Sequence, residues 1–171
     1  LGVESSVTDS FDEIRGASKV IFPGVGEAST TMKHLRETGL DELILSLDQS
    51  VLGICLGMQL MCSYSEEGDT AGLGIFKEKV RLFDIDLKVP HMGWNTIEIS
   101  DDPLLKGLED PAHFYFVHSY YCETGPDTQS VCEYEIPFSA YLQRENYYAV
   151  QFHPEKSGPL GAIILKNFLE L

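Results

Sequence analysis

The spacing of apolar residues in the first half of the chain predicts alternating strands and helices. Lys19 to Phe22 and Val51 to Ile54 are short apolar runs typical of buried strands, and Val3 to Thr8 is a weaker one. Helices are predicted from Ser10 to near Gly16, from about Glu27 to Thr38, from Asp41 to Leu47 and from Leu56 to Tyr64. This alternation indicates a mostly parallel sheet with helices on both faces.

The pattern changes near Val80, where short strands follow one another without a full helix between them. Such spacing predicts antiparallel pairing. A last helix, Leu160 to Leu171, presents one apolar stripe that would pack on the sheet. The strands of this half are Val80 to Phe83, Thr96 to Ile99, Phe114 to Tyr121, Ser130 to Tyr134, Ser139 to Gln143 and Ala149 to Phe152. We therefore expect a three-layer α/β fold in a single domain spanning residues 1–171. Its mostly parallel central sheet would be flanked by helices, with an additional antiparallel region in the C-terminal half.

Charge and composition narrow the classes of function. The 171 residues include 12 Lys and Arg against 27 Asp and Glu, which gives a formal net charge of −15. Such a surface repels phosphate backbones and anionic lipids, so we expect neither nucleic-acid nor membrane partners. No apolar run reaches the roughly 20 residues of a membrane span and no signal peptide is visible, which favours a cytoplasmic location.

The cysteines and histidines form no metal-binding pattern. Cys55, Cys62, Cys122 and Cys132 contain no C-x-x-C pair, and the five histidines have no zinc-ligand spacing. Without a secretory signal, free thiols are the default expectation. We expect no metal and no cofactor.

A G-x-C-x-G pattern follows the strand at Val51. Gly53, Cys55 and Gly57 lie at alternate positions where a buried strand meets a helix. Glycines on both sides allow the backbone to reverse sharply, with the cysteine at the apex as a nucleophile. The start of the helix would favour the thiolate. A core cysteine beside two glycines is the alternative for this pattern taken alone.

His153 and Glu155 complete a possible catalytic set. The strand from Ala149 delivers His153 at its end, and Pro154 fixes the backbone beyond it. In an extended chain residues i and i+2 point to one side, so Glu155 can orient the imidazole. A surface strand end is the alternative for His-Pro-Glu alone. Together, the cysteine, histidine and glutamate form a nucleophile, a base and a residue that orients the base.

The motifs G-I-C-L-G-M-Q and V-Q-F-H-P-E resemble those of class I (triad) glutamine amidotransferases. P-G-V-G at 23–26, P-H-M-G-W-N at 90–95, Y-F-V-H-S-Y at 115–120 and Q-F-H-P-E-K-S at 151–157 are more closely similar to the glutaminase subunits of imidazole glycerol phosphate synthase. The likeness spans essentially the whole chain. P-H-M-G-W-N is its most discriminating part, because the triad motifs are shared across the class.

The resemblance implies a role for each matching position. Cys55 would be the nucleophile, His153 the general base and acid, and Glu155 the residue that orients it. The N–H groups of Val25 and Leu56 would form the oxyanion hole. The glutamine-binding residues would be Gly24, Gly26, Gln59, Glu67, His118, Ser119 and Tyr120. Glu67 could hold the α-ammonium of glutamine.

The resemblance also implies a partner. Glutamine would give glutamate and ammonia, and the ammonia would pass to a cyclase subunit with a (β/α)₈ barrel in a heterodimer. The cyclase would form imidazole glycerol phosphate and aminoimidazole carboxamide ribonucleotide in histidine biosynthesis. The docking candidates are Pro90, His91, Met92, Gly93, Trp94, Asn95 and Lys156. For Trp94, a core position is an equal alternative. We expect weak glutaminase activity without the loaded partner, with the Val25 N–H as the switch.

The chain departs from the family pattern at its start. Leu1 stands where a family member would be completing its first helix, so we expect an N-terminal strand, a Y-G-x-G-N-type turn and a helix to be missing. Three other functions remain open. These are an amidotransferase of purine or pyridoxal synthesis, a free-standing γ-glutamyl hydrolase, and an inactive docking fragment.

Overall fold

The computed structural model describes residues 1–24 and 26–171. Its helices are α1 Phe11–Gly16, α2 Ala28–Thr38, α3 Leu40–Leu45, α4 Leu56–Met61 and α5 Gly158–Glu170, with short 3₁₀ helices at Pro103–Leu105 and Pro154–Lys156. Its strands are β1 Lys19–Gly24, β2 Ser50–Cys55, β3 Tyr64–Ser65, β4 Thr70–Ala71, β5 Lys79–Leu82, β6 His91–Ile97, β7 Ala112–His118, β8 Tyr120–Cys122, β9 Thr128–Tyr134, β10 Ile136–Arg144 and β11 Tyr147–Val150. None of the helices in these ranges is long and apolar enough to cross a membrane.

The main sheet has seven strands in the order β1-β2-β11-β10-β9-β6-β7. Both β1 and β11 pair with β2 in parallel, and β2 ends at Cys55. The pairs that lead from β11 through β10, β9 and β6 to β7 are antiparallel. The predicted α/β fold with an additional antiparallel region is confirmed. Only β1–β2 and β2–β11 of its six described pairs are parallel, so the sheet is mixed rather than mostly parallel as expected, and its parallel part is the segment that carries Cys55.

Apolar side chains pack on both faces of the main sheet. Val51 of β2 belongs to the cluster that includes Met32, Leu43 and Met58 of α2, α3 and α4. Its neighbour Leu52 belongs to the cluster that includes residues of α5. Successive side chains of a strand point to opposite faces, so β2 is buried on both sides. Helices, sheet and helix therefore form the three predicted layers.

A second sheet, in the order β4-β3-β5-β8, lies beside the first. β8 follows β7 after a single residue, so the chain leaves the main sheet at Ser119 and enters the small sheet at Tyr120. The sequence predicted one continuous strand from Phe114 to Tyr121. The break has a physical reason, since β7 pairs with β6 whereas β8 pairs with β5.

Further predicted elements differ from the structure. The strands expected from Thr96 to Ile99 and from Ala149 to Phe152 are His91–Ile97 and Tyr147–Val150, so β11 ends three residues before His153. Val3 to Thr8 is not a strand, and Val7 is fully exposed, because no strand among the described residues pairs with this segment. The helix after Cys55 ends at Met61 rather than Tyr64, since Cys62 is extended and β3 begins two residues later. The strand predicted from Lys19 to Phe22 is present and continues to Gly24.

Candidate active site

Cys55 lies at a sharp reversal between a strand and a helix. β2 ends at Cys55, and α4 begins at Leu56. Cys55 has φ 53° and ψ −108°, a backbone conformation that residues with a side chain rarely adopt. Strain of this kind persists only where the surrounding structure enforces it, and it concentrates at functional sites. The structure thus contains the turn that the G-x-C-x-G pattern predicts.

Gly24, at the end of β1, lies directly against Leu56 and Gly57 at the start of α4. A Cβ at Gly24 would lie 2.4 Å from the Cβ of Leu56 and 2.5 Å from the nitrogen of Gly57. This contact places the beginning of the predicted oxyanion loop beside Leu56. Gly26 of the same loop has φ 102°, which favours glycine. The predicted oxyanion donor Val25 lies outside the described residues.

The Cys55 thiol is largely shielded from water. Its Sγ lies 3.9 Å from the Val117 carbonyl oxygen, to which it donates, and 3.7 Å from Gln151 Nε2, which donates to it. Burial raises the pKa of the thiol to about 11, although a hydrogen bond from the Leu56 backbone acts in the opposite direction. The expectation that the start of α4 favours the thiolate is wrong, because desolvation outweighs the few N–H groups of a six-residue helix. This thiol therefore needs a base to take its proton.

His153 and Glu155 form an imidazole–carboxylate pair. His153 Nδ1 donates to Glu155 Oε1 at 2.7 Å. The segment is not the extended chain that the sequence predicted, because Pro154–Lys156 is a 3₁₀ turn that brings Glu155 back to the ring. Ser157 Oγ donates to the His153 carbonyl at 2.6 Å, and the His153 N–H donates to the Tyr115 carbonyl at 2.9 Å. These bonds hold the backbone of the histidine.

The second ring nitrogen of His153 is the candidate base. Because Nδ1 donates to Glu155, a neutral imidazole carries its lone pair on Nε2. This atom is buried and has no hydrogen-bond partner among the described residues. Buried polar atoms without partners are rare in folded proteins, and they are concentrated where function requires them. Nε2 is thus able to accept a proton.

Two buried amide side chains join Cys55 to the segment of residues 118–120. Gln59 Nε2 donates to the Tyr120 carbonyl at 2.8 Å and to Gln151 Oε1 at 2.9 Å. Gln151 is fully buried and approaches Cys55 through its own Nε2. Gln151 was not among the site residues predicted from the sequence. Its place two residues before His153, within the otherwise apolar run from Ala149 to Phe152, was the available signal, because a buried amide needs partners.

Glu67, in the turn between β3 and β4, places its carboxylate at the start of α2. Its Oε2 accepts a hydrogen bond from the Ala28 N–H at 2.8 Å, and burial raises the pKa of its carboxyl group. Burial and then the nearby Glu67 carboxylate raise the pKa of Tyr120. The predicted role in holding an α-ammonium would use the second oxygen of Glu67.

The segment of residues 118–120 is held by its own polar groups. His118 is buried, and its Nδ1 bonds to the Tyr120 carbonyl at 2.8 Å. The Ser119 carbonyl accepts from the Phe83 N–H at 3.1 Å. The structure therefore brings Gln59, His118 and Tyr120 into one hydrogen-bonded group, as expected for residues of one site.

Metal ligands do not gather anywhere in the described part of the chain. Within residues 1–24 and 26–171, no three His, Cys, Asp or Glu side chains lie together in a way that could hold an ion. All four cysteines are free in these ranges, and the sulfurs of Cys62 and Cys122 lie 3.4 Å apart.

The amino-acid sequence matches a known protein family. The glutamine amidotransferase class-I family matches residues 3–171. Imidazole glycerol phosphate synthase subunit HisH of Bacteroides fragilis is 55% identical, and the alignment covers 100% of this chain and 89% of that protein. The HisH subunit of Pasteurella multocida is 48% identical over 99% of this chain and 87% of its own length. The chain belongs to the HisH family of class-I glutamine amidotransferases.

A solved structure of a glutamine amidotransferase has the same fold as this HisH-family chain. The TM-score is 0.73 at 19% identity, and the alignment covers 99% of this chain and 86% of that one. At this identity the likeness concerns the fold alone. It agrees with the α/β arrangement that places Cys55 at the end of a parallel strand.

In this HisH-family chain, most of the P-H-M-G-W-N motif forms the start of β6. Met92 and Trp94 are 61% and 58% exposed, so the core alternative for Trp94 is wrong. The rings of Trp94 and Tyr115 pack in a T-shaped arrangement. Lys156 Nζ lies 5.9 Å from the centre of the Tyr115 ring. We call Met92, Trp94, Tyr115 and Lys156 the β6 surface patch. One of its members, Lys156, follows Glu155 directly in the sequence.

His91 differs from the other predicted docking residues. It is buried, 3% exposed, and therefore does not present its side chain to a partner. β6 pairs with β7 in a register that places His91 directly opposite His118. Alternate residues of a strand face opposite sides, so His91 points inward while Met92 points to solvent.

Proposed function

We propose that this chain is the glutaminase subunit of an imidazole glycerol phosphate synthase. One observation carries the proposal: the chain contains both a cysteine in a strained strand-to-helix turn and an imidazole whose second nitrogen is buried and has no hydrogen-bond partner within residues 1–24 and 26–171. A nucleophile, a base and a carboxylate that fixes the base are the parts that covalent amide hydrolysis needs.

The protonation states of the triad define its first step. The raised pKa of Cys55 makes the thiol the resting form. His153 Nε2 takes that proton while Sγ bonds to the side-chain amide carbon of glutamine. Glu155 stabilises the imidazolium that results, as a carboxylate does in other triads. The carbonyl oxygen becomes an oxyanion, and the Leu56 and Val25 N–H groups are the proposed donors to it. One such donor contributes about 3 kcal/mol.

The remaining steps release both products. The C–N bond breaks, His153 gives its proton to the departing nitrogen, and ammonia leaves a thioester on Cys55. Water then gives a proton to His153 and attacks the thioester carbonyl. Release of glutamate returns the proton to the Cys55 sulfur, so the same imidazole serves as base and acid in both halves.

Glutamine recognition uses the groups around Tyr120. The Glu67 carboxylate is close enough to influence Tyr120, and it would pair with the α-ammonium of the substrate. Gln59, held by Tyr120 and Gln151, lies between this group and Cys55. Gly24, Gly26, His118 and Ser119 complete the proposed site through backbone groups and shape.

The ammonia would pass to a separate cyclase subunit. The β6 surface patch is the proposed docking face, since exposed aromatic and basic side chains beside an active site are typical of interface anchors. Ammonia made without an acceptor would waste glutamine. We therefore expect the isolated chain to hydrolyse glutamine slowly, with Val25 as the proposed switch.

The test is glutamate release from glutamine by the chain alone, with a cyclase subunit, and with cyclase plus its nucleotide substrate. Activity that rises at least tenfold in the last condition supports a coupled glutaminase. Equal activity in all three conditions would favour a free-standing amidase. No activity in any of them, with Cys55 still open to alkylation, would favour an inactive docking fragment.

A further inference from the structure

A row of hydrogen bonds crosses the interior from β6 to the proposed glutamine site. Asn95 Nδ2 lies 3.3 Å from His91 Nε2, and His91 Nδ1 lies 3.0 Å from His118 Nε2. His118 Nδ1 then lies 2.8 Å from the Tyr120 carbonyl. The β6–β7 register, which pairs His91 with His118, makes the central bond possible. We call Asn95, His91 and His118 the histidine relay.

Backbone groups at both ends fix the direction of every bond in the relay. The Tyr120 carbonyl can only accept, so His118 Nδ1 carries the hydrogen and a neutral His118 accepts at Nε2. His91 must then donate from Nδ1 and accept at Nε2. At the far end, Asn95 Oδ1 accepts from the Thr96 N–H at 2.8 Å, and its Nδ2 donates to the Glu133 carbonyl at 2.9 Å. The amide of Asn95 is therefore oriented to donate to His91.

Burial keeps both imidazoles neutral. His91 and His118 are 3% and 6% exposed, and desolvation lowers their pKa values to about 4 and about 3. Aromatic rings hold them in place. His91 is stacked between Phe116 and Tyr134, with centroid distances of 4.9 and 4.1 Å. Neither ring can turn without leaving a buried nitrogen unpaired, which is costly in a dry interior.

The relay ends at the Tyr120 carbonyl oxygen, which also accepts a hydrogen bond from a residue of the proposed glutamine site. The Tyr120 carbonyl accepts from His118 Nδ1 and from Gln59 Nε2. Gln59 also donates to Gln151, which reaches Cys55. The position of this one carbonyl therefore affects the orientation of Gln59, and through it the amides beside the nucleophile.

We propose that His91 and His118 are positioning residues that hold the Tyr120 carbonyl, and with it Gln59, in the arrangement that binds glutamine. The inference rests on the glutaminase function proposed above. The two imidazoles transfer no proton. They form a fixed link whose outer end, Asn95, lies on the same strand as Met92 and Trp94 of the β6 surface patch.

The kinetic signature follows from where the relay ends. Among the described residues the relay hydrogen-bonds to proposed substrate-binding groups and to neither ring nitrogen of His153, so its loss should weaken glutamine binding more than it slows the chemical steps. A residue that served only the core would lower the melting temperature and leave KM unchanged.

Two substitutions at one position separate these roles. His91→Phe keeps the stacked ring but removes the donor to His118. His91→Asn removes the ring but keeps an N–H near the place of Nδ1. With saturating cyclase and nucleotide substrate, we expect His91→Phe to raise KM for glutamine about tenfold, the scale of one lost buried hydrogen bond, with kcat changed by less than about threefold. His91→Asn should bring KM back to within about threefold of the unsubstituted chain although it melts at a lower temperature.

Tyr134→Leu is the matched control, because it removes a ring stacked on His91 and leaves the relay's hydrogen bonds in place. We expect a lower melting temperature and an unchanged KM. The proposal is overturned if His91→Phe leaves KM unchanged, or if KM follows the melting temperature across all three variants.

A second measurement does not depend on catalysis. Nitrogen-15 spectra of the histidine side chains in the intact chain at pH 7 should place the hydrogen of both buried imidazoles on Nδ1, the less common tautomer of free histidine. An Nε2–H tautomer or an imidazolium at either position would overturn the relay. If the complex does not hydrolyse glutamine, the proposed function fails, and these spectra still decide whether the relay exists.

Discussion

Gly57 packs directly against the backbone of Phe22, so closely that a Cβ on Gly57 would lie 1.9 Å from the Phe22 carbonyl oxygen. In this contact the first turn of α4 packs against β1, directly beside the turn that carries Cys55. Because the obstructing atom belongs to the backbone, a side chain at position 57 can be accommodated only by moving β1 or α4.

Gly57→Ala should therefore destabilise the chain and disturb the nucleophile together. We expect a loss of about 2 kcal/mol or more in the free energy of unfolding, measured in urea, since overpacking a buried contact typically costs 1–3 kcal/mol. Gly16→Ala is the control, because a Cβ there meets nothing within 4 Å. Equal stability of the two variants would contradict the close contact.

The reaction of Cys55 with iodoacetamide should rise steeply with pH. Burial raises the pKa of the thiol to about 11, so the reactive thiolate is a minor form at pH 7 and its fraction increases as the pH rises towards that value. The rate, followed by mass spectrometry between pH 6 and pH 10, should still be increasing at pH 9. A plateau below pH 8 would mean that the start of α4 lowers the pKa after all.

Cys55 should also be the first of the four cysteines to be alkylated. Cys62, Cys122 and Cys132 are almost completely buried, whereas Cys55 is partly exposed. Peptide mapping after a short exposure at pH 9 should find the label at position 55. Faster labelling of any other cysteine in the folded chain would argue against this environment.

Glu155→Gln should lower kcat for glutamine hydrolysis with little change in KM. In this variant the amide oxygen at position 155 can still accept a hydrogen bond from His153 Nδ1, but the neutral amide has no charge with which to stabilise an imidazolium. We expect a decrease of about 10²-fold, at the low end for general acid–base catalysis, because Glu155 is partly exposed and water screens its charge. Glu170→Gln, which changes an exposed carboxylate of α5 paired with Lys166, is the control. An unchanged kcat in Glu155→Gln would show that Glu155 has no catalytic role.

Met92→Ala and Trp94→Ala should weaken binding of the cyclase subunit. Both side chains are exposed on β6, and loss of an aromatic anchor at an interface centre typically weakens binding at least about tenfold. Titration calorimetry would measure Kd for each variant. Leu45→Ala, which removes a side chain half-exposed on α3, should leave Kd unchanged. Equal Kd values for all three variants would place the docking face elsewhere.

Several features of the site followed from the sequence because they depend on neighbouring residues. The turn at Cys55 requires small residues on both sides of the apex, and Gly53 and Gly57 provide them. The hydrogen bond between His153 and Glu155 joins residues two positions apart. It is therefore present although the segment is a 3₁₀ turn and not the expected extended chain. The predicted thiolate is wrong, because Cys55 is buried and its sulfur lies against Val117 and Gln151, which are distant in the chain.

Other features depended on which strands pair. The contact of His91 with His118 joins residues 27 positions apart and exists only in the observed β6–β7 register. A shift of one residue would turn His91 to solvent and Met92 inward. Gln151 is likewise buried and bonded to Gln59 only because α4 packs beside the end of β11. Of these two residues, only Gln59 was predicted from the sequence.

The amino-acid sequence by itself determined the α/β class, the turn at Cys55 and the His153–Glu155 pair, because periodicity, backbone freedom and short-range contacts are local properties. Only the tertiary structure decided the mixed strand order, the protonation of the thiol, the exposure of Trp94 and the neutral histidine pair behind the site. Those properties depend on what packs against each residue from distant parts of the chain, and burial and strand register arise only when the sheet has formed.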